Sequence, residues 1–340
     1  MASEPEALAL EIIRTRLEND PRPFVLGVSG GVDSMALLHL CSRRAAPTLA
    51  VHVHHGLRAS ADDDAGLVVD TCAQLGVPVR VVHLQGDRLR TSPFGIESAA
   101  RTARYKHLEN EAVTLKGLIL TAHHANDRLE TFLLRLGQGS GVAGLAGPER
   151  LTRWGEAQVW RPLLNVWKSE ILDWATANNV PWVHDEMNDD TAFDRVRIRM
   201  GVVPALVEHL PAEPLLRSLR QVAEDATLLR TLVARELGVV TLQQGSEQLH
   251  LDRKRLRELP EELCRAVVHQ ALVHVLDRGD RRARPESRWV HDVVRQIQRP
   301  GPSIAMGRRV RCEILRDIVK IGYTIDPRAR LSTSDDRGAK

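Results

Sequence analysis

Residues 24–40 read Phe-Val-Leu-Gly-Val-Ser-Gly-Gly-Val-Asp-Ser-Met-Ala-Leu-Leu-His-Leu, and their order decides the fold. A short apolar run stops at Ser29-Gly30-Gly31-Val32-Asp33-Ser34, and an apolar-rich segment begins at once behind it. The first run has the length and residue types of a buried strand and the second those of a helix. The glycines therefore mark a strand-to-helix turn. A helix start exposes backbone N–H groups and a partial positive charge, which together attract anions such as phosphate. Gly30 and Gly31 place no side chain in the way of such an approach, and Ser29 and Ser34 add hydroxyl donors. The bland alternative is a glycine turn with a Ser or Asp helix cap, Asp33 being the acid at the cap.

Outward from this turn, the pattern alternates. Helices are expected at 8–17, 34–44, 62–75, 96–112 and 126–136, and strands at 24–28, 48–53, 79–84 and 118–122. Alternation on this scale predicts an α/β fold, a parallel sheet with helices on both faces. Ligands on such sheets bind beyond the C-terminal strand ends. Four polar segments fall there: Ser29–Ser34, His54-His55-Gly56, the region before Glu97, and His123-His124. Residues 137–147 form a glycine-rich stretch that reads as a lid, a phosphate cradle or a linker. A further strand at 159–164 and a helix at 168–179 follow. Beyond Pro204 the pattern shifts to longer helices, at 215–237 and 260–276, with short strand-like runs around Ile314 and Val319. Prolines at 204, 211 and 214 mark the expected boundary, which gives a catalytic domain at 1–205, a mostly helical domain at 206–331 and a disordered tail at 332–340.

With 340 residues the chain can bury two cores. The acidic N-terminus lacks a signal-type apolar core, and no apolar run is long enough to span a bilayer, so a cytoplasmic protein without membrane contact is expected. Cys41, Cys72, Cys264 and Cys312 are scattered and form no Cys-x-x-Cys pair, which argues against a zinc or iron–sulfur site and for a reducing compartment. Charge is uneven: residues 1–205 hold 22 Lys and Arg against 25 Asp and Glu, and residues 206–340 hold 25 against 19. Arginines cluster at 253–257, 281–288 and 308–311. They read equally as a nucleic-acid-binding surface and as a solvated Arg-rich face.

Asp127 and Glu130 are three apart, so a helix sets both on one face. Two carboxylates facing a pocket can hold an ammonium group; otherwise they form a surface pair with Arg128 and Arg135. His123 and Asp127, at i and i+4, could make a metal site with His124, although nothing else supplies ligands. Glu97 and Arg101 are spaced as a plain helix pair, with Arg104 a turn further on. Arg195, Arg197 and Arg199 alternate with apolar residues, and as mere surface charges they would tolerate change.

Ser-Gly-Gly-x-Asp-Ser resembles the pyrophosphate loop of enzymes that cut ATP between its α- and β-phosphates; it is not the Lys-containing phosphate loop, because no Lys follows the glycines. More motifs follow in order: His52-Val53-His54-His55-Gly56-Leu57-Arg58, Glu97 through Ala103-Arg104-Tyr105, Thr121-Ala122-His123-His124-Ala125-Asn126-Asp127-Arg128-Leu129-Glu130-Thr131, Gly139-Ser140-Gly141, Arg161-Pro162-Leu163-Leu164, His184-Asp185-Glu186-Met187-Asn188 and Arg195–Arg199. Together, over about residues 24–211, they resemble the bacterial tRNA(Ile)-lysidine synthetase family. Arg128, Gln138, Met187 and Val196 depart from its usual residues.

The resemblance implies a Rossmann-like PP-loop domain followed by a basic tRNA-binding domain. It implies a ligase that joins free L-lysine to C2 of the wobble cytidine of CAU-anticodon isoleucine tRNA, using ATP and Mg²⁺. Carried over residue by residue, Ser29, Gly30, Gly31, Val32, Asp33, Ser34 and His54 would bind ATP, with Asp33 also on Mg²⁺. His123, Asp127 and Glu130 would bind lysine, and Asp33, Asp127 and Glu130 would be catalytic. Arg101, Arg104, Arg195, Arg197, Arg199, Arg308 and Arg309 would contact tRNA. A tRNA-thiolating enzyme, a small-molecule amidating synthetase and a non-catalytic ATP-binding module are the competing readings. The sequence leaves the oligomeric state open, a homodimer included.

Overall fold

The computed structural model describes residues 4–54, 61–84, 96–183, 194–245, 248–279, 285–307 and 309–323. The expectations placed on His55-Gly56, 184–188, Arg308, the side chain of Glu97 and the tail at 332–340 lie outside the described residues. The chain divides into two compact units, 1–224 and 225–340.

The first unit is built on a six-stranded sheet in the order β3-β2-β1-β4-β6-β5. Its strands are β1 (Phe24–Val28), β2 (Thr48–His54), β3 (Val79–His83), β4 (Leu118–Leu120), β5 (Leu151–Trp154) and β6 (Ala157–Trp160). All neighbours run parallel except β5 against β6. Helices α1 (Glu4–Glu18), α2 (Val32–Cys41), α3 (Ala61–Leu75), α4 (Ile96–Leu115), α5 (Ala125–Gly137), α6 (Val142–Leu145) and α7 (Lys168–Ala177) accompany it. Strand β1 lies at the centre, and period-two alternation divides its side chains. Phe24, Leu26 and Val28 join Leu10, Met35, Leu38 and Ile171 in one core layer. Val25 joins Tyr105, Leu108 and Ile119 in the other. Helix α4 packs close over β1: a Cβ on Gly27 would stand 3.3 Å from Leu108 Cδ1.

The chain steps from β1 outward to β2 and β3, then returns to place β4 on the other side of β1. This reversal is a topological switch point, where open α/β sheets leave a crevice at the C-terminal strand ends. The Ser29–Ser34 turn follows β1 and His123-His124 follows β4, so the two segments flank that crevice.

The glycine-rich stretch at 137–147 has regular structure. It carries the end of α5, a turn with Gly139 at φ +69°, and the short helix α6. The unit closes with α8 (Asp194–Arg197), a π-helical turn (Ile198–Val202), α9 (Val203–His209) and the first part of α10 (Ala212–Val240). The proline cluster at 204–214 thus falls in and just before these helices, and the division into units comes later within α10.

The second unit is rich in helix, as expected: the rest of α10, α11 (Arg253–Glu258), α12 (Glu261–Gly279) and α13 (Ser287–Gln298). It also carries an antiparallel sheet in the order β7-β8-β11-β10-β9, of which only the runs near Ile314 and Val319 were expected. Its strands are β7 (Thr241–Gln244), β8 (Gln248–Asp252), β9 (Ser303–Met306), β10 (Val310–Ile314) and β11 (Ile318–Tyr323). Leu249, Leu251, Cys312, Ile314, Val319 and Ile321 pack with Val267, Leu272 and Val293 in one core.

Within the cluster at 253–257, Lys254, Arg255 and Arg257 are exposed, as both sequence readings require, whereas Arg253 departs from both. Arg253 is 1% exposed and faces neither solvent nor a ligand. Its guanidinium donates to the carbonyls of Gln296, Ile297, Arg299, Gly301 and Leu315, tying α11 to the last turn of α13, the chain just after it and the β10–β11 turn. Arg257 donates to the carbonyls of Ile297, Gln298 and Arg299. Only a planar fork can satisfy so many converging acceptors at once. Arg253→Ala would leave buried carbonyls unpaired and is expected to cost the second unit more than about 3 kcal/mol, read by urea unfolding.

Candidate active site

Behind β1 the chain turns through Gly30 at φ +93° into α2, whose cap residue Gly31 makes no side-chain cap bond. The first N–H groups of α2 therefore have no side-chain cap. Ser34 folds back on the loop: its Oγ receives the Ser29 N–H at 3.1 Å, lies 3.1 Å from Ser29 Oγ and donates to the Gly31 carbonyl at 2.9 Å. The Gly30 carbonyl accepts the Val183 N–H at 3.0 Å. The two glycines differ in what they require. A Cβ on Gly30 would be strained by its φ and would stand 3.1 Å from Val183 Cγ2, whereas one on Gly31 meets only Ser29 Oγ at 3.8 Å. Gly30→Ala is expected to cost about 1–3 kcal/mol of stability. Gly31→Ala is expected to melt like the parent protein yet weaken nucleotide binding about tenfold or more, because its methyl sits in the approach to the helix start. Thermal melts and calorimetric titration check the pair.

Asp33, in the first turn of α2, receives both of its close contacts from Lys168, whose Nζ lies 2.7 and 2.6 Å from its two carboxylate oxygens. Lys168 opens α7, and its own N–H donates to Asn126 Oδ1 of α5 at 2.9 Å. His124 stands between the acids, with Nε2 3.7 Å from Asp33 Oδ2 and 3.6 Å from Asp127 Oδ2. Asp127 caps α5 by accepting the His124 N–H at 3.0 Å. Next along the same face is Glu130, 1% exposed.

The partners of Asp127 and Glu130 are not the local Arg128 and Arg135. Arg195 donates to Glu130 Oε2 through Nε at 2.8 Å and to Asp127 Oδ1 through a terminal nitrogen at 3.0 Å. Arg199 grips Glu130 with Nε at 2.8 Å and a terminal nitrogen at 3.1 Å. Arg128 instead donates to Asn165 Oδ1, and Arg135 to Gln138 Oε1. The segment at 195–199, whose arginines alternate with apolar residues, is helical. Arg195 and Arg199, four apart, therefore share a face and meet the acids, whereas Arg197 is exposed on another side. A run of ion pairs results, from Lys168 and Asp33 past His124 to Asp127, Glu130 and the two arginines. Burial works against the charge on Asp127, but His124, His123, Arg195 and the His124 N–H outweigh it and hold the carboxyl well below the usual range.

His123 makes a separate contact, Nδ1 to Thr121 Oγ1 at 2.9 Å. Burial first, then the positive charges of Arg161, Arg101 and Arg104, push its pKa down to about 3 against the pull of Asp127, so the ring is neutral near pH 7. Arg101 and Arg104 lie over the Tyr105 ring, 5.0 and 5.9 Å from its centroid, and Tyr105 stacks on Trp154. His52 spans from β2 to the Val28 carbonyl at 3.0 Å, and His54 lies 3.1 Å from Asp62, its ring tilted 42° against that of His83. Among the described residues no group of three or more His, Cys, Asp and Glu side chains is placed to hold a metal, so the His123–His124–Asp127 arrangement is not one. Asp33 alone is a suitable carboxylate for Mg²⁺ carried on a phosphate, since that ion needs only one or two protein oxygens. Arg309 belongs to the second unit, in the turn between β9 and β10.

One residue of this network, Lys168, was not singled out in the sequence. Arg161 is buried and donates to the Glu149 carbonyl and to Thr152. For Lys168 a signal exists, because a cation at the first position of a helix opposes the helix dipole.

Comparison with known proteins agrees with this fold. The PP-loop domain family matches residues 6–206. The chain belongs to the PP-loop family. It is 38% identical over 218 residues to the tRNA(Ile)-lysidine synthase of Actinobacillus pleuropneumoniae serotype 3, covering 64% of this chain and 51% of that protein. It is 37% identical over 260 residues to that of Yersinia pseudotuberculosis, covering 74% and 55%. The chain thus spans about half the length of the curated relatives it matches. Among solved structures, the U34-tRNA thiolase NcsA from Methanococcus maripaludis, with its [4Fe-4S] cluster, superposes with a TM-score of 0.53 at 16% identity over 64% of this chain and 78% of that one, a likeness of fold. Among the described residues no helix is long and apolar enough to cross a membrane.

Proposed function

We propose that this chain is a tRNA(Ile)-lysidine synthase, an ATP-dependent ligase that joins free L-lysine to C2 of the wobble cytidine of CAU-anticodon isoleucine tRNA. The observation that carries the reading is the run of paired side chains from the PP loop to the acidic pair on α5, on which a phosphate and an ammonium would lie side by side. In the first step the cytidine C2 oxygen attacks the α-phosphate of ATP and pyrophosphate leaves. The α2 N-terminus, Ser29 and Ser34 would stabilise the charge that builds on the departing pyrophosphate. Bound Mg²⁺, held by Asp33, would neutralise phosphate charge. In the second step the lysine ε-amine attacks C2, the C2–O bond breaks and AMP departs.

Asp127 and Glu130 would hold the lysine ammonium, which displaces a guanidinium to do so; a carboxylate pair balanced by two arginines can exchange one cation for another at little electrostatic cost. The substrate amine must also lose a proton, since only about one free lysine in 10³ is neutral near pH 7. Arg101, Arg104, Arg197, Arg308 and Arg309 would meet tRNA phosphates. Of Arg195 and Arg199, the one displaced would join them.

A thiolating reading draws no support from the cysteines. All are buried and burial raises their thiol pKa values, Cys41 and Cys312 to about 12 and Cys72 and Cys264 to about 11. The reading is tested by release of AMP and pyrophosphate from ATP. Release that requires the CAU isoleucine tRNA is expected; release that ignores the tRNA supplied would overturn it.

A further inference from the structure

We propose that Lys168 is the phosphate-binding cation of this nucleotide site, a proposal that rests on the ATP reading above. The loop at 29–34 contains no lysine. The fold supplies one from 135 residues further along the chain, with Nζ 2.6 and 2.7 Å from the carboxylate oxygens of Asp33, in the first turn of α2. A phosphate seated on the α2 N-terminus would lie beside the Asp33 carboxylate, and two like charges at that separation repel strongly. A cation between them removes the conflict, and Lys168 is already held against the Asp33 carboxylate.

Its position is not explained by folding. Lys168 is the first residue of α7, where the helix dipole disfavours a positive charge. Its side chain is 39% exposed, and a partly exposed Lys–Asp pair contributes little to stability. The backbone is nevertheless fixed, because the Lys168 N–H is bound by Asn126 at 2.9 Å. An ammonium carries three N–H donors and Asp33 takes two, which leaves one for a phosphate oxygen. Lys168 thus links the PP loop to α5, the helix that bears Asp127 and Glu130.

The test is calorimetric titration of the whole protein with inorganic pyrophosphate, in chelator to exclude Mg²⁺ and at fixed ionic strength. Lys168→Gln is expected to weaken binding about tenfold or more, and Lys168→Arg by no more than about threefold, since a charge-assisted bond is lost in the first and kept in the second. Asp33→Asn separates a phosphate ligand from a mere partner of Asp33. In that background Lys168→Gln is expected still to cost about tenfold. An Asp33→Asn/Lys168→Gln protein that binds as Asp33→Asn does, within twofold, would overturn the proposal. So would Lys168→Gln binding like the parent. A parent protein that binds no pyrophosphate would overturn the ATP reading itself. Thermal melts within about 2 °C of the parent verify that the variants fold.

Discussion

Asp33→Asn is expected to reduce tRNA-dependent pyrophosphate release about 10³-fold or more while leaving the fold intact. The substitution keeps the shape of the side chain, and Asp33 is only partly buried, at 26% side-chain exposure, so no cavity or buried unpaired charge results. What it removes is the formal charge that orients Lys168 and that would hold Mg²⁺ against the phosphates. A hard cation loses most of its hold when a carboxylate becomes an amide. Stabilisation of charge that develops in the transition state is lost with it, which in comparable sites accounts for several kcal/mol of barrier. Quenched-flow or coupled measurement of pyrophosphate, with melting curves beside it, checks both parts. A variant that releases pyrophosphate within tenfold of the parent would remove Asp33 from the chemistry.

Glu130→Gln should act on the other half of the reaction. The lysine concentration needed for half-maximal transfer is expected to rise about 100-fold, with pyrophosphate release unchanged within about threefold. Glu130 is 1% exposed and is the acid on which Arg195 and Arg199 converge. In that setting one carboxylate supplies most of the attraction for a bound ammonium, and deleting one partner of a buried charged pair costs about 3–5 kcal/mol. The arginines left behind are about one-third exposed, so water takes up their charge and the stability cost is smaller than the binding cost. Lysine titrations of transfer and of pyrophosphate release, run on the same preparation, separate the two effects. Equal losses in both would show that Glu130 supports the whole site and does not select lysine.

Much of this was legible because it is local. The run at 24–40 carries its own strand, turn and helix signals, and the i,i+3 spacing of Asp127 and Glu130 puts them on one face before any fold is known. What stayed hidden depends on contacts between distant residues. Lys168 reaches Asp33 across 135 positions, and no spacing rule announces such a pair. Arg195 and Arg199 were expected to contact tRNA, and their pairing with Asp127 and Glu130 stayed hidden because it spans 65 to 69 positions. The second unit's sheet was mostly missed for a similar reason: β7 is Thr-Leu-Gln-Gln and β8 Gln-Leu-His-Leu-Asp, short polar runs that become strands only by pairing with β11 and each other. Arg253 shows the same limit, since an arginine in a basic cluster gives no sign that distant carbonyls will surround it.

On the proposed mechanism one site activates a tRNA base with ATP and then delivers lysine to it. The most direct measurement is incorporation of labelled lysine into purified CAU-anticodon isoleucine tRNA, with ATP present and absent, and with methionine tRNA as the control. The account predicts ATP-dependent label in the isoleucine tRNA and none in the methionine tRNA. An unlabelled isoleucine tRNA, in a reaction that still converts ATP to AMP and pyrophosphate, would contradict it and would assign the acidic pair to another nucleophile.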